Sequence, residues 1–300
     1  MKKTKIEWAD ATWNPVTGCL HGCEYCYARR IAERFGGYQQ YERYEIPGGY
    51  RYSEWESPLG RHCGEPFDPS EHEYDEPVKK EIIHGTGYYD VEPDVTQLNV
   101  VAPYPDFFQP TFHKYLLDKP QRWKKPQTVF VCSMADLFGD WVPDEWIEEV
   151  FAACDAAPWH RYMFLTKNPK RYALLREQGI RPPDDSWIGT SCTTDSQAIK
   201  GTYELAKCWN VNASWFVSLE PILERMSREA VEDLSVMDWL IIGAETGHRE
   251  GKVIPQKAWI DEICEEADAR ETPVFMKESL LPIVGEENMR RELPWRVREE

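Results

Sequence analysis

The stretch that decides the reading of this chain is Thr17-Gly18-Cys19-Leu20-His21-Gly22-Cys23-Glu24-Tyr25-Cys26-Tyr27-Ala28-Arg29-Arg30-Ile31-Ala32-Glu33-Arg34. Its thiols, Cys19, Cys23 and Cys26, follow a C-x3-C-x2-C spacing. Three cysteines so close together cannot all be used up in disulfides with one another, but they can converge on one metal centre. Structural zinc usually takes four ligands, often as two separated pairs, and no partner C-x2-C pair occurs elsewhere in the sequence. Three thiolates suit a [4Fe–4S] cluster better, because the fourth iron then stays open to bind something else. A zinc site or a redox-silent structural cluster is the alternative. Tyr25, on a loop wrapped around a cluster, would point at whatever the open iron holds. A short extended segment over 12–16 precedes the loop. The spacing of Tyr27, Ile31 and Phe35 predicts an amphipathic helix over 24–35, beginning at about Cys23 and stopped by Gly36-Gly37.

The loop, with an aromatic just before its last cysteine, resembles the signature of the radical S-adenosylmethionine (radical SAM) superfamily. The opening Lys5-Ile6-Glu7-Trp8-Ala9-Asp10-Ala11-Thr12-Trp13-Asn14-Pro15-Val16-Thr17-Gly18-Cys19 resembles a phage-associated branch of that superfamily, known as a domain of unknown function. Later blocks resemble the same branch: Val131-Cys132-Ser133-Met134-Ala135-Asp136-Leu137-Phe138, Leu165-Thr166-Lys167-Asn168-Pro169-Lys170-Arg171, Trp187-Ile188-Gly189-Thr190-Ser191, Ser218-Leu219-Glu220-Pro221 and Gly243-Ala244-Glu245-Thr246-Gly247. The resemblance implies a (β/α) barrel in which Cys19, Cys23 and Cys26 hold a [4Fe–4S] cluster. The open iron would chelate the amino and carboxylate groups of SAM. One electron, from a flavodoxin- or ferredoxin-type reductant, would then cleave the sulfur–carbon bond and release a 5′-deoxyadenosyl radical that takes a hydrogen atom from the substrate. A nucleobase, nucleotide or DNA is the substrate class suggested by the phage association and by an aromatic-rich insertion. A small metabolite or a peptide is the alternative, and a non-catalytic iron–sulfur or zinc protein is a third reading.

The chain has 300 residues, enough for one large α/β barrel or two domains. It carries 35 Lys+Arg against 52 Asp+Glu, a formal charge of −17. That charge argues against a broad duplex-binding surface, since such binding is mostly phosphate neutralisation, though it leaves room for a local basic groove. No apolar h-region follows the basic opening Met1-Lys2-Lys3-Thr4-Lys5, and no run of 18 apolar residues occurs, so no membrane span and a cytoplasmic location are expected. In that reducing compartment the nine cysteines point to metal or catalytic roles rather than disulfides.

The organisation expected is a first βα unit over 1–37, an insertion over 38–126, the remaining barrel over 127–282 and a peripheral charged tail over 283–300. Ten of the fifteen tyrosines fall in 38–126, among many Pro and Gly and with little period, which reads as a long irregular insertion or lid. Its aromatics suit packing or stacking on bases. His62, Cys63, His72, His84 and His113 show no ligand spacing there. From 127 onward, apolar strands (128–133, 162–166, 186–190, 215–218, 239–242 and 274–276) alternate with helices (143–156, 169–177, 194–209 and 255–270). This pattern specifies an α/β fold with a parallel sheet, a full or partial TIM-like barrel.

In such barrels the chemistry sits at the carboxyl ends of the strands, and polar residues follow each apolar run. Ser133 and Asp136 stand where superfamily members commonly place a Gly-Gly-Glu segment for the SAM amino group. Thr190 and Ser191 are candidates for the SAM carboxylate or ribose, and Lys167 for the same carboxylate. Glu220 and Glu245 are candidates for the SAM amino group, ribose or substrate, or for salt bridges to Lys167 or Lys277. Cys132 and Cys192, near strand ends, could donate a hydrogen atom to a substrate radical, although buried thiols commonly serve packing.

Overall fold

The computed structural model describes residues 4–35, 40–46, 49–52, 79–84, 104, 107–208 and 212–297. In chain order its main elements are β1 (Ala11–Trp13), β2 (Val16–Thr17), α1 (Tyr27–Phe35), β3 (Gln40–Ile46), β4 (Gly49–Tyr52), β5 (Lys79–His84), β6 (Thr111–Phe112), β7 (Thr128–Val131), α2 (Asp144–Asp155), β8 (Arg161–Thr166), α3 (Lys170–Glu177), β9 (Ser186–Cys192), α4 (Asp195–Ala206), β10 (Ala213–Leu219), α5 (Arg228–Leu234), β11 (Trp239–Ile242), α6 (Lys257–Ala269), β12 (Val274–Met276), α7 (Leu281–Val284) and α8 (Pro294–Val297). The chain divides into two compact units. Met1–Val16, Leu20–Tyr25 and Phe112–Glu300 make the first; Thr17–Cys19 and Cys26–Thr111 make the second.

The first unit is an α/β half-barrel. Seven strands form one curled sheet in the order β1-β7-β8-β9-β10-β11-β12, and every pairing is parallel. β1 and β12 are its two open edges, so the barrel is partial. Strands such as Thr128–Val131 and Trp239–Ile242 are buried at every position, as a parallel sheet covered on both faces requires. The helices that return the chain start with recognisable signals. Asp144 and Glu145 lie in the first turn of α2, where carboxylates favour the helix dipole. The Ser227 hydroxyl accepts from Ala230 N at the start of α5. α5 has no counterpart in the sequence reading, because at seven residues it is too short to show a period.

The pleat sorts the strand residues into two cores. Val129, Val131, Tyr162, Phe164, Ile188, Val217, Leu240, Ile242, Val274 and Met276 pack outward with residues of the helices. Phe130, Met163, Trp187, Phe216, Trp239, Ile241 and Phe275 fill the concave face together with Trp8. Trp239 is the centre of this inner core, with ring centroids 5.9 Å from Trp8, 6.0 Å from Trp187, 5.8 Å from Phe216 and 5.0 Å from Trp295. Its indole N–H donates to Glu292 O at 2.9 Å. The carboxyl-terminal segment is therefore not peripheral. Leu293 and Trp295 pack on the inner core, and Arg291 bridges Phe275. Charge in the sequence hid this, because the two apolar side chains that dock sit between solvated ones.

The second unit contains α1, which starts at Tyr27, later than the expected start near Cys23. It also holds a three-stranded antiparallel sheet, β4-β3-β5, with Ile46 opposite Gly49 and Gln40 opposite His84. The segment read as irregular thus contains regular pairing over 40–52 and 79–84. Its tyrosines and charges alternate too loosely for period to show it. The lid and base-stacking readings of 53–78 and 85–103, with His62, Cys63 and His72, lie outside the described residues.

Candidate active site at the carboxyl ends of the strands

Register decides which side chains share the concave face above the aromatic core. Ser191 pairs with Ser218, and Thr166 pairs with Thr190, so Lys167 follows beside Ser191. One layer higher, the residues after β10, β11 and β12 are Glu220, Gly243 and Lys277. Side chains alternate along a strand, so Lys167, Ser191, Ser218, Glu220 and Lys277 line the same side. Lys167 Nζ donates to Ser191 Oγ at 3.0 Å, and Lys277 Nζ meets Glu220 Oε1 at 3.0 Å. A side chain at position 243 would lie 3.0 Å from Lys277 Cγ and 3.2 Å from Glu220 Cγ, so Gly243 leaves the room this pair occupies.

Residues 20–25 of the cysteine loop belong to the first unit and attach to these strand ends. Asp136, 5% exposed, is the main attachment. Its Oδ1 accepts from Thr166 Oγ1 at 2.7 Å and Phe138 N at 3.1 Å. Its Oδ2 accepts from Lys167 N at 2.8 Å and meets His21 Nε2 at 2.7 Å. An ionised carboxylate only accepts, so His21 carries its proton on Nε2. The imidazole stands edge-on to Trp141, with centroids 4.8 Å apart. Four donors use the capacity of one carboxylate, so Asp136 binds the loop and the ends of β7 and β8, with no acceptor left for a ligand.

Tyr25 lies with Lys167 Nζ 5.5 Å from its ring centroid, and its hydroxyl contacts Lys167 and Thr193. Burial pushes the Tyr25 phenol up, against the pull of Lys167. Burial also works against the charge on Lys167, but the facing Tyr25 and Cys23 outweigh it and hold the ammonium above its ordinary pKa. Thr193 is itself fixed by Gln197, whose Oε1 accepts from its N and Oγ1, both at 3.0 Å.

Glu245 is enclosed at the rim. Arg249 Nε and Nη2 donate to its two oxygens at 2.7 and 2.8 Å, and this pair lowers the pKa of the carboxyl. Arg249 Nη1 also reaches Glu24 Oε2 at 3.4 Å. Ser133 Oγ donates to Asn14 Oδ1 at 3.1 Å, and that oxygen also accepts from Met134 N at 3.2 Å.

Three candidates are not brought to the concave face. Thr190 faces α4: a Cβ on Gly201 would lie 2.9 Å from its Cγ2, and its hydroxyl donates to Thr166 O. Cys132 and Cys192 sit in the apolar layer between sheet and helices, where burial pushes both thiols up to about 12. Pleat parity, invisible without the register, turns Cys192 away from the site with Ile188, while Cys132 leaves the alternation of β7, standing just past Val131 at a left-handed φ of +57°.

In the second unit, Cys19 N donates to Phe108 O at 3.0 Å. Gly18, at φ +88°, passes so close to the Gln109 carbonyl that no side chain fits. Cys26 Sγ accepts from Arg29 N in the first turn of α1 at 3.4 Å. Cys19, Cys23 and Cys26 are each half-buried, and Cys132, Cys154, Cys192 and Cys208 are buried; none of them forms a disulfide. Among the described residues, no group of three or more His, Cys, Asp or Glu side chains is gathered closely enough to hold a metal ion by itself.

The sequence matches the family model described as "Protein of unknown function (DUF5131)" over residues 3–81 and 103–280. The chain belongs to the DUF5131 family. The DUF5131 match spans the cysteine loop and all seven strands of the half-barrel, and stops before the docked Trp295. A comparison with curated proteins found no match. Among solved structures, a mutant of spore photoproduct lyase is similar at 11% identity and a TM-score of 0.46, covering 92% of this chain and 78% of that one.

His21, Thr193 and Arg249 escaped the sequence reading. Arg249 had a legible signal, four residues after Glu245. His21 and Thr193 had none, since their partners are remote in sequence.

Proposed function

We propose that this chain is a radical SAM enzyme in which Cys19, Cys23 and Cys26 hold a [4Fe–4S] cluster. The observation that supports this best is the attachment of residues 20–25, with Cys23 among them, to the carboxyl ends of a parallel half-barrel, through His21 on Asp136 at 2.7 Å and Tyr25 beside Lys167. The donor set matches the group in kind and number, three half-buried thiols in no disulfide that would leave one iron of four open, although the structure does not gather them closely enough to hold a metal ion by themselves. Bound there, the cluster would supply the electron that splits the sulfur–carbon bond of SAM.

The chain's own residues have assignable tasks. Lys167 and Ser191 present hydrogen-bond donors on the concave face, suited to a carboxylate. The Glu220–Lys277 pair offers an acceptor and a cation one layer higher. The inner core of Trp8, Trp187, Phe216 and Trp239 closes the floor and excludes water from below. Among the described residues no helix is long and apolar enough to cross a membrane. Thiols in no disulfide and an oxygen-sensitive cluster suit a reducing cytoplasm, and a flavodoxin- or ferredoxin-type reductant is the partner we assign. A nucleobase, nucleotide or DNA is the substrate class we assign, from the phage association of the branch this chain resembles and its aromatic-rich insertion.

The test is anaerobic reconstitution, followed by iron and sulfide analysis and by mass spectrometry of SAM products with and without nucleosides and DNA. About four iron and four sulfide per chain are expected, with 5′-deoxyadenosine and methionine formed on reduction. The triple variant Cys19→Ala, Cys23→Ala, Cys26→Ala should lose all of these. Stoichiometric iron and sulfide in that variant, or a loaded and reduced wild type that makes no 5′-deoxyadenosine, would sink the reading.

A further inference from the structure

We propose that the polypeptide fixes Cys23 over the strand ends before any cofactor arrives, through two latches that flank it, and that His21 and Asp136 are positioning residues for that thiol. The significance of the thiol rests on the cluster reading above; the latches are read from the geometry alone.

The latches lie two residues either side of Cys23. His21 donates to Asp136 at 2.7 Å on one side, and on the other the Tyr25 ring centroid stands 5.5 Å from Lys167 Nζ. Both converge on one residue, because Lys167 donates its amide to Asp136 and directs its ammonium to Tyr25 and Ser191. A chain held at both ends of a five-residue segment has little freedom at its middle, since each residue spans at most about 3.6 Å. Asp136 can act as a fixed post because it is itself held by Phe138 N, Thr166 Oγ1 and Lys167 N. Trp141 sets the plane of the imidazole. Gly22, at φ +73° in open space, lets the chain turn between His21 and Cys23. The neighbouring Glu24 is different: its side chain is 82% exposed and its contact with Arg249 is 3.4 Å long, so it contributes little.

The test compares wild type with His21→Ala and His21→Gln as full-length, metal-free proteins by limited proteolysis with chymotrypsin, with cleavage after Leu20 and Tyr25 followed by mass spectrometry. Gln places an amide N–H the same number of bonds from the backbone and can still donate to Asp136. His21→Ala should speed cleavage at these positions by about ten- to a hundredfold, the loss of one hydrogen bond to a charged group. Cleavage within the strands β9 to β11 should be unaffected, and His21→Gln should restore resistance. After reconstitution, His21→Ala should take up iron like wild type but give a shifted electron paramagnetic resonance signal on reduction, reversed by Gln. Cleavage in His21→Ala equal to wild type, or no rescue by Gln, would overturn the proposal. A wild type that binds no iron would defeat the cluster reading and leave the cleavage result to decide the latch.

Discussion

Removing Arg249 should expose how the rim of the site is stabilised. In Arg249→Leu the Glu245 carboxylate, whose side chain is 1% exposed, loses two hydrogen bonds of 2.7 and 2.8 Å. Bonds to charged groups contribute about 1.5–3 kcal/mol each, and breaking a buried pair costs about 3–5 kcal/mol. Glu245 lies shallow at the rim, and Arg249, 25% exposed, recovers hydration when unfolded, so the lower part of that range applies. The expected loss is about 3 kcal/mol near neutral pH. Its pH dependence has a definite sign. In wild type the pair lowers the pKa of Glu245, so its contribution is present above the ordinary carboxylate pKa and is lost as pH falls through the depressed folded value. In the variant, burial is opposed only by Lys252 and the Val253 amide, so the pKa rises relative to wild type, and the penalty is present above the new value and disappears as acid protonates the side chain. The gap between the proteins should therefore be widest near neutral pH and close towards about pH 4. Urea unfolding followed by tryptophan fluorescence across this range measures it. Adding Glu245→Gln to Arg249→Leu should recover most of the loss. A neutral-pH gap under about 0.5 kcal/mol, or one that stays constant in acid, would show a solvated pair and refute the reasoning.

Gly189→Ala should destabilise the first unit by about 1–3 kcal/mol in the same assay, because the new methyl would lie 2.6 Å from the Phe216 ring and 2.7 Å from its carbonyl oxygen. Unchanged stability would mean that β9 and β10 are not in the register described. Alkylation with iodoacetamide at about pH 8, mapped by mass spectrometry, should modify Cys19, Cys23 and Cys26 in the folded metal-free protein and spare Cys132 and Cys192 until denaturant is added. Burial keeps those two thiols protonated well above that pH, and their early labelling would contradict the packing.

Much of the fold was legible because its strands are buried on both faces. Apolar runs such as Val129–Val131 and Leu240–Ile242 announce themselves by composition, and the helices between them by period. The site was legible only in outline. Polar residues after each run marked the ends of the strands at which the candidate site is described, but composition cannot assign pleat parity. Thr190 and Ser191 are adjacent, yet one faces α4 and the other Lys167. Asp136 was read as a contact for the cofactor, whereas four donors from three segments occupy it. The docking of Trp295 was hidden for the same reason: its partners Trp187 and Trp239 are remote in sequence.

The sequence by itself determined the strand–helix alternation, the thiol triplet and the end of the sheet where polar groups gather, because these follow from local composition and spacing. Only the tertiary structure decided which polar groups face the concave side and which are spent on each other. A hydrogen bond such as His21 to Asp136 joins positions 115 residues apart, and no local pattern encodes the register that brings them within 2.7 Å.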